Sequence, residues 1–266
     1  MDLQLKGRRA LVTGASRGIG KAIARQLAME GVDVALAGRD LAALDEARGE
    51  IAKASNGRVV AVTGDTGRDD DVKAMVETVV GNLGGLDILV NAAAKPGGQQ
   101  PPPKLAEITD QIFWDDVNVK VLGYLRCARE AAPHMIAAGW GRIINISGLA
   151  ARSTGSTVGS IRNVAVAALT KNLADELGPH GINVTVVHPG LTRTEKTGPL
   201  VTSRAARAGT SEEEVEKRLA ANVLIGRLVD SAEVADVVAF LASPRSVAIN
   251  GDAIACGGGV RGVIHY

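Results

Sequence analysis

The stretch RALVTGASRGIGKAIARQLAMEG, Arg9 to Gly31, sets an apolar run, a glycine-rich turn and an amphipathic segment in direct succession. Leu11 and Val12 belong to a short strand. Ile19, Ile23 and Leu27 recur on one face of the helix that follows, and Gly31 supplies its stop. Between them stand Gly14, Gly18 and Gly20, spaced G-x-x-x-G-x-G. In a chain with 32 glycines that spacing alone carries little. Its position carries more, because glycines between a strand and a helix let the backbone approach a pyrophosphate at the helix N-terminus.

The same unit repeats outward from this stretch. VDVALAG, GRVVAVTGD, LDILVNAAA, GRIINIS, GINVTVVHPG and NGDAIACGGG read as strands, with amphipathic helical stretches between them. Strands alternating with helices of this length imply βαβ crossovers and a parallel sheet covered on both faces. The expected fold is α/β: a single-domain Rossmann fold over residues 1–266, with a doubly wound seven-stranded parallel sheet. One continuous helix is expected over FWDDVNVKVLGYLRCAREAAPHMIAAG, and another over GSIRNVAVAALTKNLADELG, entered through a polar turn. Two segments break the rhythm. Lys95 to Lys104 is rich in Gly, Pro and Gln and reads as a surface loop. Glu195 to Asn222 is polar, with a short helix capped by Thr210 or Ser211. Both follow the carboxyl ends of strands, where ligands bind and lids form, although plain surface loops would look the same. The lid is expected at about residues 195–222.

Composition narrows the function. Of 266 residues 46% are hydrophobic and 22% charged, and 30 basic residues face 29 acidic ones. Such a balance gives no field towards nucleic acid or an anionic membrane. Cys127 and Cys256 lie far apart, the four histidines (134, 180, 188 and 265) are scattered, and no metal site is expected. The start MDLQLKGRRALVTG has no apolar h-region, and the apolar runs are too short to span a bilayer. A cytoplasmic, reducing location is the expectation.

The second strand ends in ALAGRD. A site for NAD usually presents Asp or Glu here to the ribose 2′-hydroxyl, whereas this chain presents Gly38 and Arg39, with Arg17 inside the glycine turn. Two guanidiniums suit a 2′-phosphate, so NADP(H) is favoured over NAD(H). The other reading has Asp40 merely capping the next helix and Arg39 solvated.

These motifs, in this order, resemble the short-chain dehydrogenase/reductase family from Leu5 to about Gly259: TGASRGIG, GDTGRDDDV, NAAA from Asn91, HPGLTRT, and LIGRLVDSAEVADVVAFLASP with INGDAIACGGG. The resemblance implies an NAD(P)-dependent oxidoreductase. It assigns cofactor contacts to Gly14, Ser16, Arg17, Gly18, Ile19, Gly20, Arg39, Asp65, Asn91, Pro189, Gly190 and Thr194. The family works with Asn, Ser, Tyr and Lys, and here the pattern departs. Gly159 stands at the Tyr position, Asn163 at the Lys position and Gly148 at the usual Ser, with Ser147 adjacent. Counting back from Gly123 puts Lys120 at the Asn position, although a two-residue shift would restore Asn118.

The expected catalytic residues are therefore Lys120, Ser147 and Asn163. The Lys120 ammonium would stand near the missing phenol, and Asn163 would bond the nicotinamide ribose. Tyr124, Tyr266 and His188 are lesser candidates for a proton donor. The reaction expected is reduction or oxidation of a small carbonyl or alcohol substrate with an altered proton relay. The alternatives are a cofactor-binding relative without turnover, acting as sensor or assembly partner, and a lyase or isomerase on the same fold. The resemblance further implies a homotetramer or homodimer packed through the two long helices, where Ala165, Ala168 and Leu169 permit close approach. Arg204 and Arg207 in the lid could meet an acidic or acyl-carrier substrate.

Overall fold

The structure, a computed structural model, describes residues 1–55, 57–95 and 101–261. Its elements run in the order β1 (Arg9–Thr13), α1 (Gly18–Met29), β2 (Asp33–Gly38), α2 (Leu41–Ala52), β3 (Val59–Thr63), α3 (Asp69–Leu83) and β4 (Ile88–Asn91). Then follow α4 (Asp110–Val117), α5 (Gly123–Ala138), β5 (Gly141–Ile146), α6 (Thr157–Leu177), β6 (Ile182–Pro189) and β7 (Thr192–Arg193). The chain continues through α7 (Thr197–Ala208), α8 (Glu212–Ala220), β8 (Val229–Asp230), α9 (Ser231–Ala242) and β9 (Ala253–Cys256).

Seven strands form one sheet in the order β3-β2-β1-β4-β5-β6-β9, every pair parallel. The fold is the expected doubly wound Rossmann-type α/β sheet. Alternate residues of each strand feed opposite cores, as the pleat requires. Ala10 and Val12, Val34 and Leu36, and Ile88 and Val90 pack under α1, α2 and α9. Leu11, Ala35, Leu89 and Ile143 pack under α3, α5 and the end of α6. β1 has β2 on one side and β4 on the other, so the strand order reverses there and a crevice opens at the carboxyl edge. The glycine turn sits in that crevice.

The long helix expected from Phe113 onward is not uniform. α4 runs into a π turn, Asn118–Leu122, before α5 begins. A π turn adds a residue to the turn, shifts the phase of every side chain after it, and is commonest at functional sites. The single short helix expected after Glu195 is two. Ser211 caps α8, accepting from the Glu214 amide at 3.2 Å, and α7 precedes it across Gly209, which is left-handed at φ +61°. Val201, Ala205, Val215 and Leu219 pack the pair together. A two-stranded ladder of β7 and β8, too short to show in the sequence, ties the entrance of this excursion to the start of α9. In the Lys95–Lys104 loop, residues 96–100 lie outside the described residues, as do His265 and Tyr266. No helix among the described residues is long and apolar enough to cross a membrane.

Candidate active site

The glycine turn is built for close approach. Gly14 is left-handed at φ +68°, and a Cβ there would lie 2.9 Å from the Ala92 carbonyl oxygen. A Cβ on Gly20 would lie 2.4 Å from the Gly14 carbonyl oxygen, so the first turn of α1 can pack on the loop only as glycine. Thr13 ties the two flanking strand ends together, its Oγ1 accepting from the amides of Ala92 (3.1 Å) and Ala93 (3.2 Å). Ser16 is half-buried, Arg17 is exposed in an extended N-cap conformation, and Ile19 packs on the core from α1. The Gly18 amide donates to Glu195 Oε1 at 2.7 Å. That carboxylate stands in for an oxyanion at the helix N-terminus, where amides and dipole favour negative charge. The turn thus fits a diphosphate: its glycines are bare, and it already holds an anion. Thr194 lies alongside, its Cγ2 3.8 Å from where a Gly18 Cβ would be.

At the other end of the crevice, Asp40 caps α2, accepting from the Ala43 amide at 3.2 Å. Arg39 keeps 73% of its side chain exposed, 3.9 Å from Asp65 Oδ2, while Asp65 Oδ1 accepts from the Gly67 amide at 2.9 Å. A cavity of about 690 Å³ opens here between Arg39, Gly64, Asp65 and Arg68. Arg39 is thus at hand for a charge carried by a nucleotide. Asn91 has no exposed surface; its Nδ2 donates to Asn145 Oδ1 at 2.9 Å, and its Oδ1 is buried without a partner among the described residues. Pro189 is buried at the end of β6. Gly190 follows in close contact with Gly257, where a Cβ would come within 3.1 Å of the Gly257 Cα.

The catalytic candidates converge between the π turn, the end of β5 and α6. Lys120 is 4% exposed, and its Nζ donates to the Ser147 carbonyl oxygen and to Asn163 Oδ1, both at 2.9 Å. Ser147 Oγ, with one proton to give, donates to the Asn163 carbonyl oxygen at 3.0 Å, with Asn163 Oδ1 at 3.2 Å as the alternative acceptor. Asn163 Nδ2 faces Gly148, where a Cβ would lie 3.4 Å away. One turn earlier on α6, a Cβ on Gly159 would meet only Ser156, the residue whose Oγ caps the helix. Burial, aided by the Arg162 guanidinium and opposed by Asp116, pulls the Lys120 amine down to about 7. Loss of ammonium hydration is the physical cause. Asn118 points elsewhere, its Nδ2 donating to the Gly67 carbonyl oxygen at 3.1 Å and its Oδ1 accepting from Arg126 at 2.9 Å. Asn118 thus stays out of the cluster, and Lys120 is the residue that reaches it.

Two of the lesser donors, Tyr124 and His188, are buried. Tyr124 is 1% exposed, donates its hydroxyl to the Ile146 carbonyl oxygen at 2.9 Å, and has its phenol pushed up by burial. His188 is 1% exposed within β6, a packing position. Tyr266 lies outside the described residues. No group of side chains among the described residues could hold a metal ion.

Two charged residues at the site went unread in the sequence. Arg162, 9% exposed, pairs with Asp116 of α4. The signal was available: Gly159, Arg162, Asn163 and Val166 follow the i, i+3, i+4, i+7 pattern of one helix face, and all four are buried. Glu195 had no such signal, since its partner Gly18 is 177 residues away.

Comparison with known proteins places this site in a family. Residues 14–261 match the family model described as Enoyl-(Acyl carrier protein) reductase. The short-chain reductase protein NovJ of Streptomyces niveus is 36% identical over 254 residues, covering 94% of this chain and 92% of that protein. The 3-oxoacyl-[acyl-carrier-protein] reductase FabG of Staphylococcus aureus is 34% identical over 262 residues, covering 94% and 97%. Among solved structures, L-sorbose reductase from Gluconobacter frateurii, complexed with NADPH and L-sorbose, superposes with a TM-score of 0.91. It is 30% identical, over 99% of this chain and 100% of that one. A variant of actinorhodin polyketide ketoreductase, with NADPH, gives a TM-score of 0.85 at 33% identity, covering 94% and 96%.

Proposed function

The chain belongs to the short-chain dehydrogenase/reductase family of NAD(P)-dependent oxidoreductases, and from that premise we propose that it reduces a small carbonyl substrate with NADPH, using Lys120 where the family uses tyrosine. The observation that carries this reading is the Lys120 amine, held 2.9 Å from both the Ser147 carbonyl oxygen and Asn163 Oδ1, where Asn163 lies one turn of α6 after Gly159.

A bound reduced nicotinamide supplies the hydride. The chain's own residues do the rest. Gly14, Ser16, Arg17, Gly18, Ile19 and Gly20 line the turn for the diphosphate, and Arg17 and Arg39 favour a 2′-phosphate over a free hydroxyl. Asp65 faces the adenine end, and Asn91 supports the end of β4 from within. Pro189, Gly190 and Thr194 border the nicotinamide end. Lys120 gives a proton to the carbonyl oxygen as the alkoxide develops. With its pKa drawn down to about 7, the amine is well matched to donate near neutral pH, where a lysine in water would hold its proton too firmly. The Ser147 hydroxyl bonds to an oxygen of Asn163 and steadies it, and Asn163 keeps Nδ2 for the ribose or the substrate. Residues 195–222 act as the lid over this pocket. The sorbose reductase and ketoreductase structures both hold NADPH, which supports the NADP(H) preference for this chain by likeness.

Exposed apolar residues on α5 and α6, including Leu125, Ile161 and Val164, support a homodimer or homotetramer formed through these helices. Cys127 and Cys256, both free thiols, suit a reducing cytoplasm. A second reading is favoured by one feature: both bonds of Lys120 are already made to its own chain, as in a structural tie. On that reading the protein binds the dinucleotide without turning it over.

NADPH consumption against a panel of ketones, quinones and enones tests the proposal, with Lys120→Met alongside. Turnover by the wild type and a fall of about 10²–10⁴-fold in the variant, with NADPH affinity held within a few-fold, is the expected result. Equal turnover by both proteins removes Lys120 from the chemistry. NADPH binding without consumption by either favours the second reading.

A further inference from the structure

The site holds more charge than a proton relay needs. On the helix that enters the π turn, Asp116 and Lys120 are four residues apart; opposite them, Arg162 and Asn163 are neighbours on the inner face of α6. The two helices therefore meet in two rungs, an Asp116–Arg162 ion pair and a Lys120–Asn163 hydrogen bond. Arg162 and Lys120 are 9% and 4% exposed, and burying two cations side by side is unfavourable unless something compensates. Asp116 compensates one. The cluster is left with one net positive charge when Lys120 carries its proton.

Hydrogen bonding leaves a matching gap. The Arg162 Nε–H is buried and has no partner among the described residues. Lys120 has three N–H donors when charged and uses two. A buried charged donor without an acceptor is rare in folded proteins and calls for a ligand, ion or water to complete it. On the same inner face, one turn before Asn163, stands Gly159, where even a Cβ would lie 2.7 Å from Ser156 Oγ, so no side chain of α6 projects there.

We propose that the substrate pocket is built for a monoanionic carbonyl compound, an oxo acid, whose carboxylate is bound by Arg162 beside Lys120. The inference rests on the reductase reading above and deepens it. A guanidinium is the side chain best shaped for a carboxylate, and the anion completes both the charge and the donor count of the cluster. It also recruits the acid. Burial and Arg162 hold Lys120 down, Asp116 alone opposes them, and Ser147 and Asn163 are uncharged. A carboxylate placed against the pair restores the ammonium that donates the proton.

The test uses pyruvate, acetoacetate and levulinate, each against its methyl ester, with NADPH and the full chain. Wild-type kcat/KM is expected to favour at least one acid over its ester by about tenfold or more, the scale of one charged hydrogen bond. Arg162→Lys, which keeps a cation for Asp116 but loses the guanidinium, is expected to erase that preference, lowering kcat/KM for the acid about tenfold more than for its ester. The alkaline limb of kcat is expected at higher pH for the acid than for the ester. Calorimetric binding of the same acids to the NADPH-loaded protein is the second readout. Turnover of acids and esters alike, or an equal loss of both in Arg162→Lys, overturns the anion site and leaves the reductase standing. Acid binding that depends on Arg162, without NADPH consumption, upholds the anion site and removes the reductase reading. Failure of every acid both to bind and to turn over overturns the inference.

Discussion

Replacing Lys120 by methionine exposes the energetic signature of the buried amine. In the folded protein the amine titrates at about 7, against an ordinary value of 10.5 for the unfolded chain. The unfolded state therefore binds more protons throughout that window, and stability must rise with pH across it, level below the folded pKa and level again above the unfolded one. From about pH 7 to about pH 9 the folded lysine goes from roughly half-charged to almost wholly neutral while the unfolded lysine stays charged. Integrating the difference gives about 2 kcal/mol of stability gained over those two pH units. Lys120→Met lacks that gain. Its stability at any single pH mixes relief of desolvation with the loss of a partner for the Ser147 carbonyl, terms of about 1–4 kcal/mol and opposite sign. The pH slope is free of that mixture. Urea denaturation of both proteins at the two pH values, at equal protein concentration, gives the double difference, in which groups common to both cancel. A wild-type rise exceeding that of the variant by about 2 kcal/mol is expected. Parallel behaviour of the two proteins would refute the buried, proton-shedding amine.

Three further outcomes follow from the geometry. Arg39→Ala should weaken NADP binding by about tenfold, the low end for a charged hydrogen bond at so exposed a side chain, and leave NAD binding unchanged; an equal loss for both dinucleotides in a fluorescence titration would remove Arg39 from the 2′-phosphate. Glu195→Gln should tighten NADPH binding by about two- to fivefold, because the carboxylate on the Gly18 amide competes with the diphosphate for the N-terminus of α1; unchanged or weaker binding by calorimetry contradicts that competition. Tyr124→Phe should cost about 1 kcal/mol in denaturation, from the lost bond to Ile146, and leave kcat within about threefold; a large fall in kcat would return tyrosine to the chemistry.

Where local patterning sets the structure, residue order was enough. Each sheet strand shows as a short, largely apolar run, and the glycines of the cradle stand where strand meets helix, so both fold and glycine turn could be read directly. Lys120 and Asn163 could be singled out because Gly123 and the Ala-rich half of α6 anchor the count on either side. Their meaning could not be read, since the π turn at Asn118–Leu122 shifts the phase that counting assumes. Arg162 looked like an ordinary polar residue in a helix, and only its spacing with Gly159 and Asn163 places it inward. α7 was hidden by Gly198 and Pro199 in its first turn, positions a helix tolerates because its first amides need no intrahelical partner. The contact of Glu195 with Gly18 joins distant parts of the chain, and nothing local encodes it.

The central question is which atom faces the reacting carbonyl. A crystal structure of the protein with oxidised NADP and a bound alcohol or oxo acid measures it, as the distance from the substrate oxygen to its nearest protein donor beside nicotinamide C4. Lys120 Nζ is expected at hydrogen-bonding distance, about 3 Å. A tyrosine hydroxyl in that place, or Lys120 still closed over Ser147 and Asn163 and away from the oxygen, would contradict it.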